Sequence, residues 1–420
     1  MVASDFLSQS VETALNQALA GMKPVSRVED CALQLAANRV LARNQIAPHS
    51  VPDRPTSAMD GYALSLDHLE KNANSLENSR LRVLGKSLAG HAAPKCSPDD
   101  GCVRVFTGAP VPEGFDVVIP QEFATEDSEG LVRFRSDTPA RKGSNIRARG
   151  EDISEGQVAV PRGRMLGPRE MALLASLGIA SVSVFRLPIV AVLSTGDELV
   201  NTGQPAGPTQ IFDANRPMLI QMTRRLGFEV RDLGIVPDNP RELTERLRAA
   251  ADEADVVLTS GGVSVGEADH TRRVMEALGE IAFWRLSIKP GRPLAFGHLR
   301  NSRGERTAFF GLPGNPVASF VTFSAIVRPC LERVAGLEMR PALLIRAQLT
   351  KPTKKQPGRT EYLRCSLRRQ PSGLYEAEIL ASQGAASIKS LMDADGLAVL
   401  PEASGPMAAG DWVDVLPLEV

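Results

Sequence analysis

The spacing of apolar residues changes period several times along the chain. Val11, Leu15, Ala18 and Leu19 recur at helical spacing, and Leu33, Ala36, Ala37 and Val40 repeat it, which predicts a second helix over residues 28–41. Prolines at 48, 52 and 55 stop any helix beyond that point. Short β-like runs follow at residues 81–84, 102–107, 115–119, 131–134 and 157–160, separated by turn residues, as in a small β-rich module. Helix returns over residues 168–177, with Pro168 suited to the first turn and Gly178 to the stop.

From residue 188 strand and helix alternate. Ile189-Val-Ala-Val-Leu193 and Asp255-Val-Val-Leu-Thr259 are continuous apolar runs that fit strands buried on both faces. Helices are predicted over residues 215–226, from Pro240 behind an Asn239 cap, over 270–278 and over 317–334. Further strands are predicted over 229–235, 282–288, 294–296 and 308–310. This alternation predicts a mainly parallel sheet covered on both faces. Past Pro341 the pattern is β again, needing no helix. The fold class is therefore multidomain α/β. A helical N-terminal domain (1–48 and 160–187) is interrupted by a β-rich insertion (49–159), then come a central open α/β domain (188–335) and a small β domain (340–420).

Composition narrows the function classes. A net charge of -1, scattered basic residues and 5% aromatics exclude a general nucleic-acid binder. Five spread cysteines without a CxxC pair, and five histidines, form no zinc pattern. The first residues lack a basic segment followed by an apolar run, and no apolar stretch reaches membrane-spanning length. A soluble, cytoplasmic protein with no membrane partner is expected.

Candidate chemistry lies where strands lead into helices or turns, at the carboxyl edge of the sheet. Ser194, Thr195, Gly196, Asp197 and Glu198 leave the first strand of the α/β domain. Ser260, Gly261, Gly262 and Ser264 leave another, in a loop that ends at Asp269, and the paired glycines let the backbone approach a phosphate. Lys289 and Arg292 flank a tight turn, and Pro313, Gly314 and Asn315 enter a helix directly. Each loop taken singly reads as an ordinary turn; four at strand ends of one sheet read as the rim of an anion site. Neither GxGxxG nor GxxxxGK[ST] occurs, which counts against a nicotinamide cofactor or an ordinary P-loop ATPase. Asp197, Glu198, Asp238 and Asp269 beside a phosphate would repel it unless a hard cation intervened, so Mg²⁺ is expected, although Asp238 also reads as a solvated surface acid. Lys289 and Arg292 would clamp an oxyanion.

The stretches PTSAMDGYA, RVFTGAPVPEG, NIRARGEDI, LSTGDEL, IFDANRPML, SGGVSVGEADH, IKPGRPLAFG and GLPGNPVAS, in this order, resemble the molybdopterin molybdenumtransferase family, to which the catalytic part of gephyrin is similar. The resemblance covers essentially the whole chain. It implies an elongated homodimer with a central molybdopterin-binding domain and a C-terminal β-barrel, acting on adenylylated molybdopterin and molybdate with Mg²⁺ and releasing AMP. It implies transient contact with the molybdopterin adenylyltransferase and with cofactor-accepting enzymes. Carried over by position, Asp60, Thr107, Glu198, Asp238, Asp269 and Lys289 are catalytic. Asp197, Glu198 and Asp269 hold metal. Arg147, Ser194, Thr195, Gly196, Ser260, Gly261, Gly262, Ser264, Arg285, Arg292, Pro313, Gly314 and Asn315 bind substrate. Asp60, Thr107 and Arg147 would reach the site from the insertion, across the dimer. Arg285 and Arg292 stand where relatives can have lysine. Alanines occupy 385 and 386 where a serine is expected, leaving Ser387 or Ser390 to supply a hydroxyl. An adenylyltransferase or a scaffold without catalysis are the competing readings. The insertion and C-terminal domain count against the first, and the retained Asp60, Glu198, Asp269 and Lys289 against the second.

Overall fold

A computed structural model describes residues 8–71, 76–262 and 269–418; of the side chains of Lys71, Asp269, His270, Thr271, Arg272 and Phe283 nothing is described. The first predicted helix is present as Val11–Gly21, its N-terminus capped by Ser10, whose Oγ accepts from the Thr13 N–H at 3.1 Å. Its buried Ala14 and Ala18 pack into the same core as Phe296, Val321 and Ile326 of the α/β region.

The second predicted helix, over residues 28–41, is not formed. Val28–Ala32 is a strand paired antiparallel with Ser181–Phe185, and only one 3-10 turn, Leu33–Leu35, follows. Leu33, Ala36, Val40 and Leu41 are buried in either arrangement, so their helical spacing did not discriminate. A partner strand some 150 residues away did, and Asn38 in the left-handed region (φ 62°) breaks any continued helix.

The insertion is a six-stranded sheet in the order Val117–Pro120, Gly61–Leu64, Cys102–Val105, Leu81–Ser87, Leu131–Phe134, Ala124–Glu126. Alternate residues feed two cores, with Ala63, Val103 and Val118 on one face and Leu64, Cys102 and Val117 on the other. The chain then returns through the helix Pro168–Ser176, whose Glu170 reaches back to the Gly167 N–H, and Gly178 (φ 66°) ends the segment.

The central sheet has seven strands: β1 (Ser8–Gln9), β2 (Ile189–Thr195), β3 (Glu229–Val236), β4 (Val256–Ser260), β5 (Gly279–Leu286), β6 (Pro293–Arg300) and β7 (Arg306–Leu312). Their order is β1-β5-β6-β7-β4-β2-β3. Val190 and Val192 enter one core and Ala191 and Leu193 the other, which is why the strand reads as an unbroken apolar run. β3, β2, β4 and β7 are parallel, whereas β6 runs antiparallel to both β7 and β5. The links around β6 are too short for a crossover helix, so they can join only antiparallel neighbours. Two reversals bring the carboxyl end of β5 to the same edge as those of β2, β4 and β7.

In the C-terminal region Ile345–Leu349, Thr360–Arg369, Tyr375–Ile379, Gly396–Leu400 and Trp412–Pro417 close into a barrel, since Thr360–Arg369 pairs with both Tyr375–Ile379 and Gly396–Leu400. Contrary to expectation it contains a helix, Ile388–Met392, a single turn too short for any apolar period to register. Barrel residues Tyr362 and Leu397 share the core of the α/β domain. Just beyond β5, Ile288–Lys289 pairs with Thr360–Glu361, so one segment belongs to both units. No described helix is long and apolar enough to cross a membrane.

Candidate active-site cleft

The carboxyl edge of the sheet and the barrel enclose a cleft of roughly 970 Å³, in the range of small-molecule sites. Its floor is built by close backbone approach. Gly196, after β2, has φ 146°, and a Cβ there would lie 2.4 Å from Glu198 Oε2, so the carboxylate folds over the glycine. Gly261, after β4, has φ 89°, and its Cβ would meet Thr195 O at 2.6 Å. The Gly261 N–H donates to Leu312 O at the end of β7 (3.1 Å), which ties the second loop to the third.

Asn215, at the start of the helix Asn215–Arg225, joins the same loops from beneath. Its Nδ2 donates to Ser260 Oγ (2.6 Å) and to Gly314 O (2.7 Å). The buried hydroxyls of Ser194, Thr195 and Thr259, with Asn215 Oδ1, have no hydrogen-bond partner among the described residues. Four orphaned polar atoms at adjacent strand ends are what a polar ligand or its waters would satisfy.

One wall is acidic. Asp197 Oδ1 accepts from the Asp238 N–H (3.0 Å), and Glu198 and Asp238 both face the cleft. Desolvation, then the charges of Asp197 and Glu198, push the Asp238 carboxyl above the ordinary range. The opposite wall is cationic, with Lys289, Arg292 and the barrel's Arg359. Lys289 Nζ lies 3.1 Å from Glu361 Oε2.

The barrel also delivers Gln383 and Ala385 to the rim, and Ala385 O accepts from the Val317 N–H (3.0 Å) at the start of the helix Pro316–Thr322. This rim is held by Arg364, which is wholly buried without a carboxylate partner among the described residues. It donates to Ser390 Oγ (3.2 Å), Ser382 O (3.2 Å) and Gly384 O (3.0 Å), its Nη1 is unpartnered, and burial lowers its pKa. Ser387 Oγ bonds Ser382 Oγ near the surface and the buried Ser390 Oγ donates to Ser387 O, so both hydroxyls suggested as substitutes are engaged within their own segment and neither lines the cleft.

Of the expected residues, Thr195, Gly196, Glu198, Asp238, Gly261, Gly262, Lys289, Arg292, Pro313, Gly314 and Asn315 line the cleft. Ser194 and Ser260 are buried within the strand ends. Arg285, the last residue but one of β5, is half-buried and does not line the cleft. Ser264 and the side chain of Asp269 lie outside the described residues, although the backbone of Asp269 opens the helix Asp269–Leu278. Asp60, Thr107 and Arg147 stand apart in the insertion. Asp60 Oδ1 accepts from Thr107 N (2.8 Å) and Oγ1 (2.7 Å), and these bonds, then Arg104, hold its carboxyl below the usual range. Arg147 pairs with Glu151 at 3.1 Å. None of the three lines the cleft of its own chain.

Sequence reading missed Asn215, Ile211, Arg359 and Gln383. An amide side chain at the start of a predicted helix was the available signal for Asn215. Nothing periodic marks the barrel residues, because their position depends on docking.

The N-terminal region of MoeA (domains I and II) matches residues 9–178, a probable molybdopterin binding domain matches 191–333, and the C-terminal region of MoeA (domain IV) matches 346–418. A molybdopterin molybdenumtransferase from Haemophilus influenzae is 41% identical, with 92% of each chain covered. A protein of the same name from Synechococcus elongatus is 32% identical, covering 97% of this chain and 99% of its own. The crystal structure of a molybdopterin biosynthesis MoeA protein from Pyrococcus horikoshii superposes with a TM-score of 0.81 at 26% identity, over 97% of this chain and 99% of that one.

Proposed function

The chain belongs to the molybdopterin molybdenumtransferase family, and from that premise we propose how its cleft carries out the transfer. As an enzyme of molybdenum cofactor biosynthesis it handles two anions, a dithiolene pterin and an oxyanion of molybdenum. Adenylylated molybdopterin lies along the floor, its phosphates against the backbone at Gly261, Gly262 and Gly314, which line the cleft. Molybdate rests on the Lys289 and Arg292 wall, where cations offset its charge.

Water attacks the phosphoanhydride: a new P–O bond forms, the bridging P–O bond breaks and AMP leaves; the two dithiolene thiols then bond to molybdenum as molybdate gives up one oxo group, which departs as water with the two thiol protons. Asp238, with its raised pKa, suits the acceptance of a proton from that water, and Glu198 orients it. Mg²⁺ fits the acidic wall, where the charges of Asp197 and Glu198 add to burial in raising the proton affinity of Asp238. Among the described residues no three His, Cys, Asp or Glu side chains are arranged to hold a metal by themselves. Glu198 and Asp197, with Asp269, would therefore share the ion with substrate oxygens and water, the usual mode for magnesium, which when bound neutralises phosphate charge. Asp60, Thr107 and Arg147 complete the site from the second copy of a homodimer, and the reading includes residence in the cytoplasm.

The observation that carries this reading is the meeting, in one cleft, of glycine-shaped strand ends, an acidic wall and a cationic wall. Purified protein given adenylylated molybdopterin, molybdate and Mg²⁺ should release AMP, and omission of Mg²⁺ should abolish it. No AMP with all three present would overturn the reading.

A further inference from the structure

The turn that carries Lys289 has a fixed backbone. Gly291 (φ 107°) packs so closely on the helix Pro316–Thr322 that a Cβ would lie 2.4 Å from Thr322 Oγ1, and Ile288–Lys289 is hydrogen-bonded as a strand to Thr360–Glu361. The lysine side chain, in contrast, has four rotatable bonds and is 47% exposed. What restrains it is Glu361, directly opposite across the strand pair, whose carboxylate is 5% exposed. A carboxylate so buried is costly to leave without a counter-charge, so the ammonium cannot swing away to meet a ligand. An ammonium has three N–H donors, and one on Glu361 leaves two for the cleft. Arg292 and Arg359, on the same wall, carry no ion pair among the described residues.

We propose that Glu361 is a positioning residue for oxyanion recognition: it pins the Lys289 ammonium on the cleft wall, so that the barrel completes the anion site of the α/β domain. This rests on Lys289 as the molybdate ligand, as read above. The pair spans the one strand-level joint between the two units among the described residues, so anion affinity depends on the barrel being docked.

The test uses the full chain, with molybdate binding followed by calorimetry and the molybdate dependence of AMP release followed in parallel. Glu361→Ala should raise half-saturating molybdate about tenfold, the order set by the rotamer freedom of an untethered lysine, with kcat within about twofold. Glu361→Gln, which keeps an acceptor in place but removes the charge that pins the ammonium, should raise half-saturating molybdate about threefold, less than Glu361→Ala. On a Lys289→Ala background Glu361→Ala should add nothing. Unchanged molybdate affinity in Glu361→Ala while Lys289→Ala weakens it would overturn the proposal, as would equal losses in the Ala and Gln variants. If Lys289→Ala leaves molybdate dependence unchanged, the underlying reading of Lys289 fails instead. Should Glu361→Ala not fold, Glu361→Asp decides: a carboxylate withdrawn by one methylene must weaken molybdate severalfold, and parent-like affinity sinks the idea.

Discussion

Asn215 is the residue that ties two cleft loops together, and its replacement gives the sharpest test of how the floor is built. Asn215→Ala removes both Nδ2 bonds, to Ser260 Oγ and to Gly314 O. Ser260 is 2% exposed and its hydroxyl has no other described side-chain partner, so it bears most of a desolvation cost of about 1–2 kcal/mol. Gly314 is exposed, and water replaces the lost donor there for a few tenths of that. Losing the already orphaned Asn215 Oδ1 returns a little, which leaves a net cost of about 2 kcal/mol. Asn215→Asp is nearly isosteric yet should cost more, about 3–4 kcal/mol, because it sets a buried carboxylate against the Gly314 carbonyl. Desolvation raises the pKa of such an Asp in the folded state. The protonated form is therefore favoured on folding, and the relative stability of this variant is greatest below pH ~4 and falls as pH rises through the folded value. Trp284 lies in β5, packed 5.1 Å from Phe296, so in a Trp412→Phe background its fluorescence follows urea unfolding of the α/β domain. An Asp variant as stable as the parent at pH 7, or one whose deficit does not shrink toward pH 4, would refute this account of the floor.

Gly261→Ala places a Cβ 2.6 Å from Thr195 O at a φ of 89°, which should cost about 2 kcal/mol or more and lower AMP release; a fully active variant would show that the loop relaxes freely. Thr107→Val removes the hydroxyl donor to Asp60 and should move that carboxyl up toward its ordinary value, read by NMR titration. Asp60 has a depressed folded pKa, so its bonds to Thr107 are complete above the ordinary value near pH ~4 and are lost as pH falls through the folded one; because Val keeps the backbone N–H bond, only part of the shift is lost, and an unmoved titration would remove the Thr107 hydroxyl as a contributor. Asp269→Asn should abolish AMP release if that residue serves the metal, and parental turnover would reassign it.

Much of the cleft was legible because its parts obey local rules. The apolar runs at residues 189–193 and 255–259 mark strands covered on both faces, and small residues directly after them mark loops at a sheet edge. The Asn239 cap and Pro240 show the same locality: Asn239 Oδ1 does accept from the Arg241 N–H at 2.9 Å. The misreading of residues 28–41 marks the limit, since Leu33, Ala36 and Val40 keep a helical apolar spacing although they follow the strand Val28–Ala32 in a single 3-10 turn and a loop. Ser387 and Ser390 mark another. A hydroxyl in the right stretch of chain was committed to Arg364 and the barrel's own backbone, a distribution of hydrogen bonds that no linear reading contains.

Periodicity, caps, turn residues and glycine spacing depend on neighbours within a few positions, and they determined the strands, most helices and the character of each loop. Tertiary structure decided what long-range pairing controls. It reversed β6 so that the lysine turn shares an edge with the glycine loops, docked Arg359 and Glu361 beside it, and placed Asn215 where it bonds two loops at once. The physical reason is that a side chain's electrostatic partners are set by distance in space. Lys289 and Glu361 are 72 residues apart in sequence and 3.1 Å apart in the fold.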